Sequence, residues 1–341
     1  MINVLAFPKY GDIRNPVLYN LNKHFENDED ISIDEFNILK PFSKKYDIFH
    51  IHWPDYFFVN SFLYTLLRMV YFFTIIFVFK ILNTKIIWTV HNLKPHNNYH
   101  PKINKFSISL FTKLLDSIVV MSKESKKNIY EEYPSLKSKK CSLIYHGLYD
   151  NYKNFISKVD AKKKLGIENN KKILLYIGII NEYKNILTLM DKFKKLNSDK
   201  YILIIAGTVT SKKLKLEIQK KRQYKNIIFD LKFIPDDELQ YYFNASDLVV
   251  LPFSSVLNSG SVMLSLSFNR PVLCSNMGTL KELSDIVGHN IVNTYNEFSL
   301  DNIDAIIQNL KKVDLNSLKI FDNKILSQQL KQTYIKTING Q

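Results

Sequence analysis

The chain has 341 residues, 46% of them hydrophobic, and a formal net charge of +15. That apolar content excludes a disordered chain, and the length suits two domains rather than one core. The positive balance points to an acidic partner: nucleic acid, an anionic membrane surface or a phosphorylated substrate. The lysine clusters, such as Lys162–Lys164 and Lys212–Arg222, carry no RNA- or DNA-binding signature, so nucleic acid is not the expected partner. Two cysteines, Cys141 and Cys274, exclude a disulfide framework and a zinc centre. Met1–Phe7 runs directly into a strand pattern with no signal segment, so a cytoplasmic protein is expected.

In chain order, Val4–Phe7 predicts the first strand, Val17–His24 a helix and Glu26–Asp30 a turn. Asp47–Ile51 predicts a strand whose carboxyl end carries His52-Trp53-Pro54-Asp55. Ligands of open α/β sheets bind at that edge, so a histidine and a carboxylate there count for more than elsewhere. The segment 56–82 is the most apolar of the chain, and Ser61–Phe79 contains a single charge, Arg68. Its length would permit a membrane span. However, Ser61, Thr65 and Arg68 fall on one helical face, and only Met69–Phe79 is apolar all round, too short to cross a bilayer. A helix lying in the membrane interface fits this pattern best, with a buried helix and a true span as the alternatives. Lys85–Val90 predicts a further strand, ending in His91-Asn92 with Pro95 and His96 beyond. His52 and His91 thus hold equivalent positions on two strands, with Asp55 close by, which favours a functional over a structural role. Ser117–Met121 predicts a strand, Ser122 caps a helix through Tyr130, and Ser142–Tyr145 predicts a strand leading to His146-Gly147.

A second βα series follows. Lys172–Ile177 predicts a strand, and Gly178–Asn185 is the loop into the next helix. Gly178 admits close approach of a ligand to the backbone, and Lys184 is placed to meet phosphate oxygens as a point charge. Tyr201–Ala206 ends in Gly207-Thr208, Asn226–Asp230 predicts a further strand, and Pro235–Asn244 a helix. Leu248–Leu251 is a short apolar run typical of a strand buried on both faces. Ser259-Gly260-Ser261 then opens a helix running from Val262 to Phe268, before a strand at Pro271–Cys274. Free N–H groups and the helix dipole make such a turn suited to a phosphate, although an ordinary capped helix has the same residues. The tail from Leu300 to Gln341 reads as helical. The expected division is therefore 1–150, 151–330 and a last segment, 331–341, returning to the first domain.

In order along the chain stand Asp47-Ile-Phe-His-Ile-His-Trp-Pro54, Thr89-Val-His-Asn92, Val119-Val-Met-Ser122, His146-Gly147 and Gly178 with Tyr183-Lys-Asn185. Ala245-Ser-Asp-Leu-Val-Val-Leu-Pro252 and Arg270-Pro-Val-Leu273 follow. This series resembles the GT-B glycosyltransferases of family 4 and its relatives in exopolysaccharide and capsule assembly, including a branch similar to GDP-mannose:glycolipid β-mannosyltransferases. The resemblance implies an α/β fold of two Rossmann-like domains facing across a donor/acceptor cleft. It implies transfer of a sugar from a GDP- or UDP-sugar to a lipid-linked or oligosaccharide acceptor in bacterial surface polysaccharide synthesis, at the inner face of the plasma membrane. Gly178, Asn181, Tyr183, Lys184, Gly207, Ser259, Gly260, Ser261 and His146 would bind the donor. His52, Trp53, Asn92 and His96 would face the acceptor, and Asp55, then His91, would be the catalytic groups.

The sequence also departs from that family. Ile179, Ile180 and Asn181 stand where an arginine usually accompanies the lysine, and Val256 and Leu264 where two glutamates hold donor sugar and ribose. Backbone N–H groups around Ser259–Ser261, small hydroxyls and Lys184 would then carry donor recognition. No Asp-x-Asp cluster stands at a strand end, so no metal and no cofactor are expected. Two further readings fit the same plan: a non-catalytic GT-B-like binding protein, and a nucleotide-sugar epimerase or phosphorylase.

Overall fold

The computed structural model describes residues 1–11, 16–58, 61–93, 100–221, 224–311, 313 and 316–340. The chain forms two compact units, Met1–Gly147 with Ile320–Gln341, and Leu148–Lys319.

In the first unit the elements are β1 (Ile2–Phe7), α1 (Val17–Asn22), β2 (Ile31–Glu35), β3 (Ile48–Ile51), α2 (Phe62–Ile81) and β4 (Lys85–Thr89). They continue with α3 (Pro101–Leu114), β5 (Ser117–Val120), α4 (Lys123–Glu132) and β6 (Lys140–Leu143). The six strands form one parallel sheet in the order β2-β1-β3-β4-β5-β6. The strands β3 and β5 are buried at every position, as expected for a parallel sheet covered on both faces. Aromatic side chains fill one face: Phe49, Phe58, Phe72, Phe79 and Phe111 are all inaccessible to solvent.

The helix α2 corrects the reading of its two faces. Thr65 is not on a solvated face but fully buried, alongside Phe72, Ile75, Ile76 and Phe79. The outward face is apolar instead, with Phe62 61%, Leu67 60% and Phe77 66% exposed. The helix is long and apolar enough to cross a membrane by length and composition.

The second unit holds α5 (Lys158–Lys164), β7 (Lys172–Ile177), α6 (Ile186–Phe193), β8 (Tyr201–Ala206), α7 (Lys212–Lys220) and β9 (Ile227–Asp230). After these come α8 (Leu239–Ala245), β10 (Leu248–Leu251), α9 (Gly260–Ser267), β11 (Val272–Ser275), α10 (Thr279–Val287), β12 (Val292–Tyr295) and α11 (Ile303–Asn309). The sheet is again parallel, ordered β12-β11-β10-β7-β8-β9. Read from β7, this is the Rossmann order, and the direction of winding reverses between β7 and β10. The helix α8 begins at Leu239, because Pro235 opens only a turn, with Glu238 N–H donating to Pro235 O.

The last helix, α12 (Asn323–Ile338), belongs to the first unit. Its Leu326, Leu330 and Tyr334 pack with Val4, Ile33 and Ile48 on the second face of that sheet. The N-cap carboxylate of Asp322 accepts from the N–H groups of Lys324 and Ile325, which sets where this helix starts.

Candidate functional site

In a doubly wound sheet the loops on either side of the reversal splay apart at the carboxyl edge, and a ligand fits between them. In the second unit these loops follow β7 and β10, and three contacts join them. Ser254 donates through its N–H (2.9 Å) and its hydroxyl (3.1 Å) to Tyr183 O. The Lys184 ammonium lies 4.0 Å from the Phe253 ring centroid and 5.1 Å from that of Tyr183. Ser261 Oγ lies 3.4 Å from where a β-carbon on Gly178 would stand. Gly207, at the end of β8, closes the group: a β-carbon there would come within 1.9 Å of Gly178 O. Both glycines have φ near +130°, a backbone that L side chains rarely adopt (130° and 136°).

Lys184 is the charged centre of this group. Burial alone lowers its pKa to about 8, and no carboxylate among the described residues offsets it. Two aromatic faces attract the ammonium, but they do not replace an anion. The preceding turn is shaped locally: Lys184 N–H donates to Asn181 O, and Asn185 takes a left-handed conformation (φ 57°) that starts α6. Asn181 Oδ1 is buried with no hydrogen-bond partner among the described residues. Ser259 caps α9, its hydroxyl accepting from Val262 N–H at 3.3 Å. That hydroxyl is thereby engaged, and Gly260 and Ser261 N–H are left as the donors that a helix start leaves without an intrahelical acceptor. Val256 and Leu264 are both partly exposed.

The first unit brings together a different chemistry. His52 Nδ1 lies 3.0 Å from His91 Nε2, and the Trp53 ring stacks on His91 with centroids 4.3 Å apart. Behind them His50, which the sequence did not single out, bridges Tyr334 OH and Thr89 Oγ1, each at 2.7 Å. Burial pushes His50 and His91 down to about 3 and His52 well below its ordinary value. These imidazoles are neutral at physiological pH, so each pairs one donor nitrogen with one acceptor.

Two cavities flank this stack. One, of about 240 Å³, is bordered by His52, Trp53, Asp55, Trp88, Asn92 and Asn104. The second, of about 30 Å³, is bordered by His52, His91, His146 and Thr89. Asp55 and His91, the two expected catalytic groups, thus border different cavities with His52 between them. His146 lies in the first unit next to His91, and burial lowers its pKa too. His96 lies outside the described residues. Among the described residues no group of three His, Cys, Asp or Glu side chains is arranged to hold a metal.

Sequence reasoning missed Phe253, which carries Lys184, and Trp88 and Asn104, which wall the larger cavity. Only the position of Phe253 directly after Pro252 at a strand end marked it. Arg270, which opens the last of the resembling motifs, is structural: its guanidinium donates to Asn244 Oδ1 at 2.8 Å.

Residues 157–314 match the family described as glycosyl transferases group 1. No curated protein matches the chain. Among solved structures, HepE of Anabaena in complex with UDP and glucose superposes with a TM-score of 0.68 at 15% identity, covering 98% of this chain and 100% of that one. A glycosyltransferase from Rickettsia africae gives 0.65 at 14% identity, covering 100% and 99%. Sucrose-phosphate synthase from Thermosynechococcus elongatus gives 0.61 at 16% identity, covering 87% and 75%. The chain therefore has the GT-B glycosyltransferase fold, with a glycosyl transferases group 1 domain over residues 157–314.

Proposed function

We propose that the chain transfers a sugar from a nucleotide sugar to a hydroxyl of a lipid-linked or oligosaccharide acceptor in bacterial surface polysaccharide synthesis. The observation that carries this reading is Lys184, a largely buried cation with no carboxylate offsetting it among the described residues, set near Gly178, Gly207 and the start of α9 at the winding reversal. A diphosphate supplies the missing anion. Lys184 and the Gly260 and Ser261 N–H groups stabilise the charge that develops on the leaving diphosphate. Asn181 Oδ1 accepts from a hydroxyl of the donor. No divalent ion is needed, because the lysine and the helix dipole supply the positive charge; activity abolished by a chelator and restored by Mg²⁺ or Mn²⁺ would refute this.

UDP-glucose is the first donor to try, since HepE of Anabaena is seen with UDP-glucose, and GDP-mannose is the second. Calorimetry should show one of them binding, and Lys184→Ala weakening it about ten- to a hundredfold, the effect of leaving a charged hydrogen-bonding group unpaired. Unchanged affinity in that variant would remove the lysine from the donor site.

On the acceptor side, Asp55 takes the proton of the attacking hydroxyl if configuration inverts. His91 suits that task less, since its Nε2 is engaged by His52 and its pKa near 3 makes it a weak base. If configuration is retained, His91 acts indirectly by fixing Trp53. The exposed apolar face of α2, with the charge of +15, suits a protein held at the inner surface of the plasma membrane. Equal partitioning between anionic vesicles and buffer would sink that part of the reading.

A further inference from the structure

The cavity of about 240 Å³ beside His52 and Trp53 has an unusual wall. Three residues bordering it carry buried polar atoms with no hydrogen-bond partner among the described residues: His52 Nε2, Trp88 Nε1–H, and both Nδ2 and Oδ1 of Asn104. Asn104 is only 3% exposed and Trp88 4%. An unpaired buried polar group costs on the order of 1–3 kcal/mol, and native structures hold few of them. Such groups concentrated on one cavity are accounted for when a bound molecule completes them.

The chemistry of the wall narrows what that molecule is. Trp88 Nε1–H and Asn104 Nδ2 need acceptors, whereas Asn104 Oδ1 needs a donor. A phosphodiester only accepts, so it would leave Oδ1 unpaired. It would also meet two carboxylates, Asp55 and Glu132, against one cation, Lys105, which itself sits 3.8 Å from Glu132. A neutral polyol both donates and accepts. The rest of the wall, including Trp53, Leu93, Ile108 and Tyr133, offers apolar and aromatic surface for C–H groups. At about 240 Å³ the cavity is smaller than the roughly 300–1,000 Å³ of pockets for larger ligands, which suits one ring rather than a nucleotide.

We propose that this cavity is a binding site for a single uncharged sugar ring, the residue of the acceptor that precedes or carries the attacking hydroxyl, and that Trp88 and Asn104 select it. Its assignment to the acceptor rests on the function proposed above; the sugar site itself rests on the wall.

The test uses the full chain and methyl glycosides of glucose, galactose, mannose, N-acetylglucosamine and rhamnose in saturation-transfer NMR, with inorganic phosphate as the anionic probe and UDP-glucose and GDP-mannose calorimetry alongside. At least one glycoside should bind. Asn104→Leu and Trp88→Phe should each weaken it about tenfold or more, the cost of one unmade buried hydrogen bond, with donor binding unchanged. Asn104→Leu should also raise the melting temperature, since it removes an unsatisfied amide; Trp88→Phe keeps the ring and guards against a folding defect. The proposal is overturned if no glycoside binds, if phosphate binds there instead, or if both variants bind the glycoside as the parent does. A glycoside that binds a chain deaf to every nucleotide sugar would leave this site standing and remove the donor reading. The reverse result would remove this site alone.

Discussion

On the proposed function, the two units recognise their ligands with opposite materials. Around Gly178 and Gly207 the second unit uses backbone, a helix start and one lysine. Around His52 and Asn104 the first unit uses buried polar side chains, some paired with one another and some left for the ligand. A diphosphate carries charge and asks mainly for positive potential, which main-chain amides supply whatever the neighbouring side chains are. A sugar is neutral and is told from its epimers only by where donors and acceptors point, so its site must be built from oriented side chains. The loss of carboxylates at Val256 and Leu264 is tolerable on the first plan. A comparable loss at Asn104 would not be tolerable on the second.

The sharpest way to break this contrast is Gly207→Ala. The added β-carbon would strike Gly178 O and hold an unfavourable φ, costing about 3 kcal/mol of stability. Donor binding should fail in calorimetry while methyl glycosides still bind; loss of both would mean that the two sites do not act separately. Next in size is Asp55→Asn. If Asp55 is the general base, transfer should fall about a hundredfold or more with donor affinity unchanged. Substantial residual turnover, read from product formation, would exclude that role.

A smaller and graded effect should come from pH. The Lys184 pKa is lowered by burial from its ordinary 10.5 to about 8, and a bound diphosphate favours the charged form and raises it again. Below about pH 8 the lysine is already charged and donor affinity should be flat. Above it, binding must take up a proton, and affinity should fall by up to about tenfold per pH unit. For folding the sign is opposite. Between 8 and 10.5 the unfolded chain holds the proton that the folded chain has lost, so this residue's contribution to stability rises with pH over that window. A UDP-sugar titration that is flat from pH 7 to 10 would show that the lysine does not meet the phosphates.

The sequence was most readable where strands are buried on both faces. Lys172–Ile177, Tyr201–Ala206 and Leu248–Leu251 appear with the predicted bounds, because a short unbroken run of β-branched residues and leucine between turn residues suits a central parallel strand and little else. Two of the edge strands, β2 and β12, were harder. Ile31–Glu35 alternates with Ser32 and Asp34, and Val292–Tyr295 carries Asn293 and Thr294, so neither stands out from a loop. The capping serines Ser122 and Ser259 were legible since their side chains act within three residues. The faces of α2 were not. A threonine looks polar in sequence, yet Thr65 is fully buried while leucines and phenylalanines face outward. The same limit hid Asn104 and Trp88: an unpaired polar atom exists only once its surroundings are known.

The connection of α12 to the first sheet has a consequence for biosynthesis. His50 completes its hydrogen bonds with the hydroxyl of Tyr334, and Lys331 pairs with Asp28 at 2.9 Å and Asp30 at 2.7 Å. The first unit is therefore a discontinuous domain into which the whole of Leu148–Lys319 is inserted. As the ribosome proceeds, the inserted unit is released complete and is able to fold while its predecessor still lacks a helix. Until α12 emerges, one face of the first sheet lacks the cover of Leu326, Leu330 and Tyr334. The unit whose strands are translated first is thus completed only after the second, and a stop before α12 would be read out as exposed sheet in the first unit.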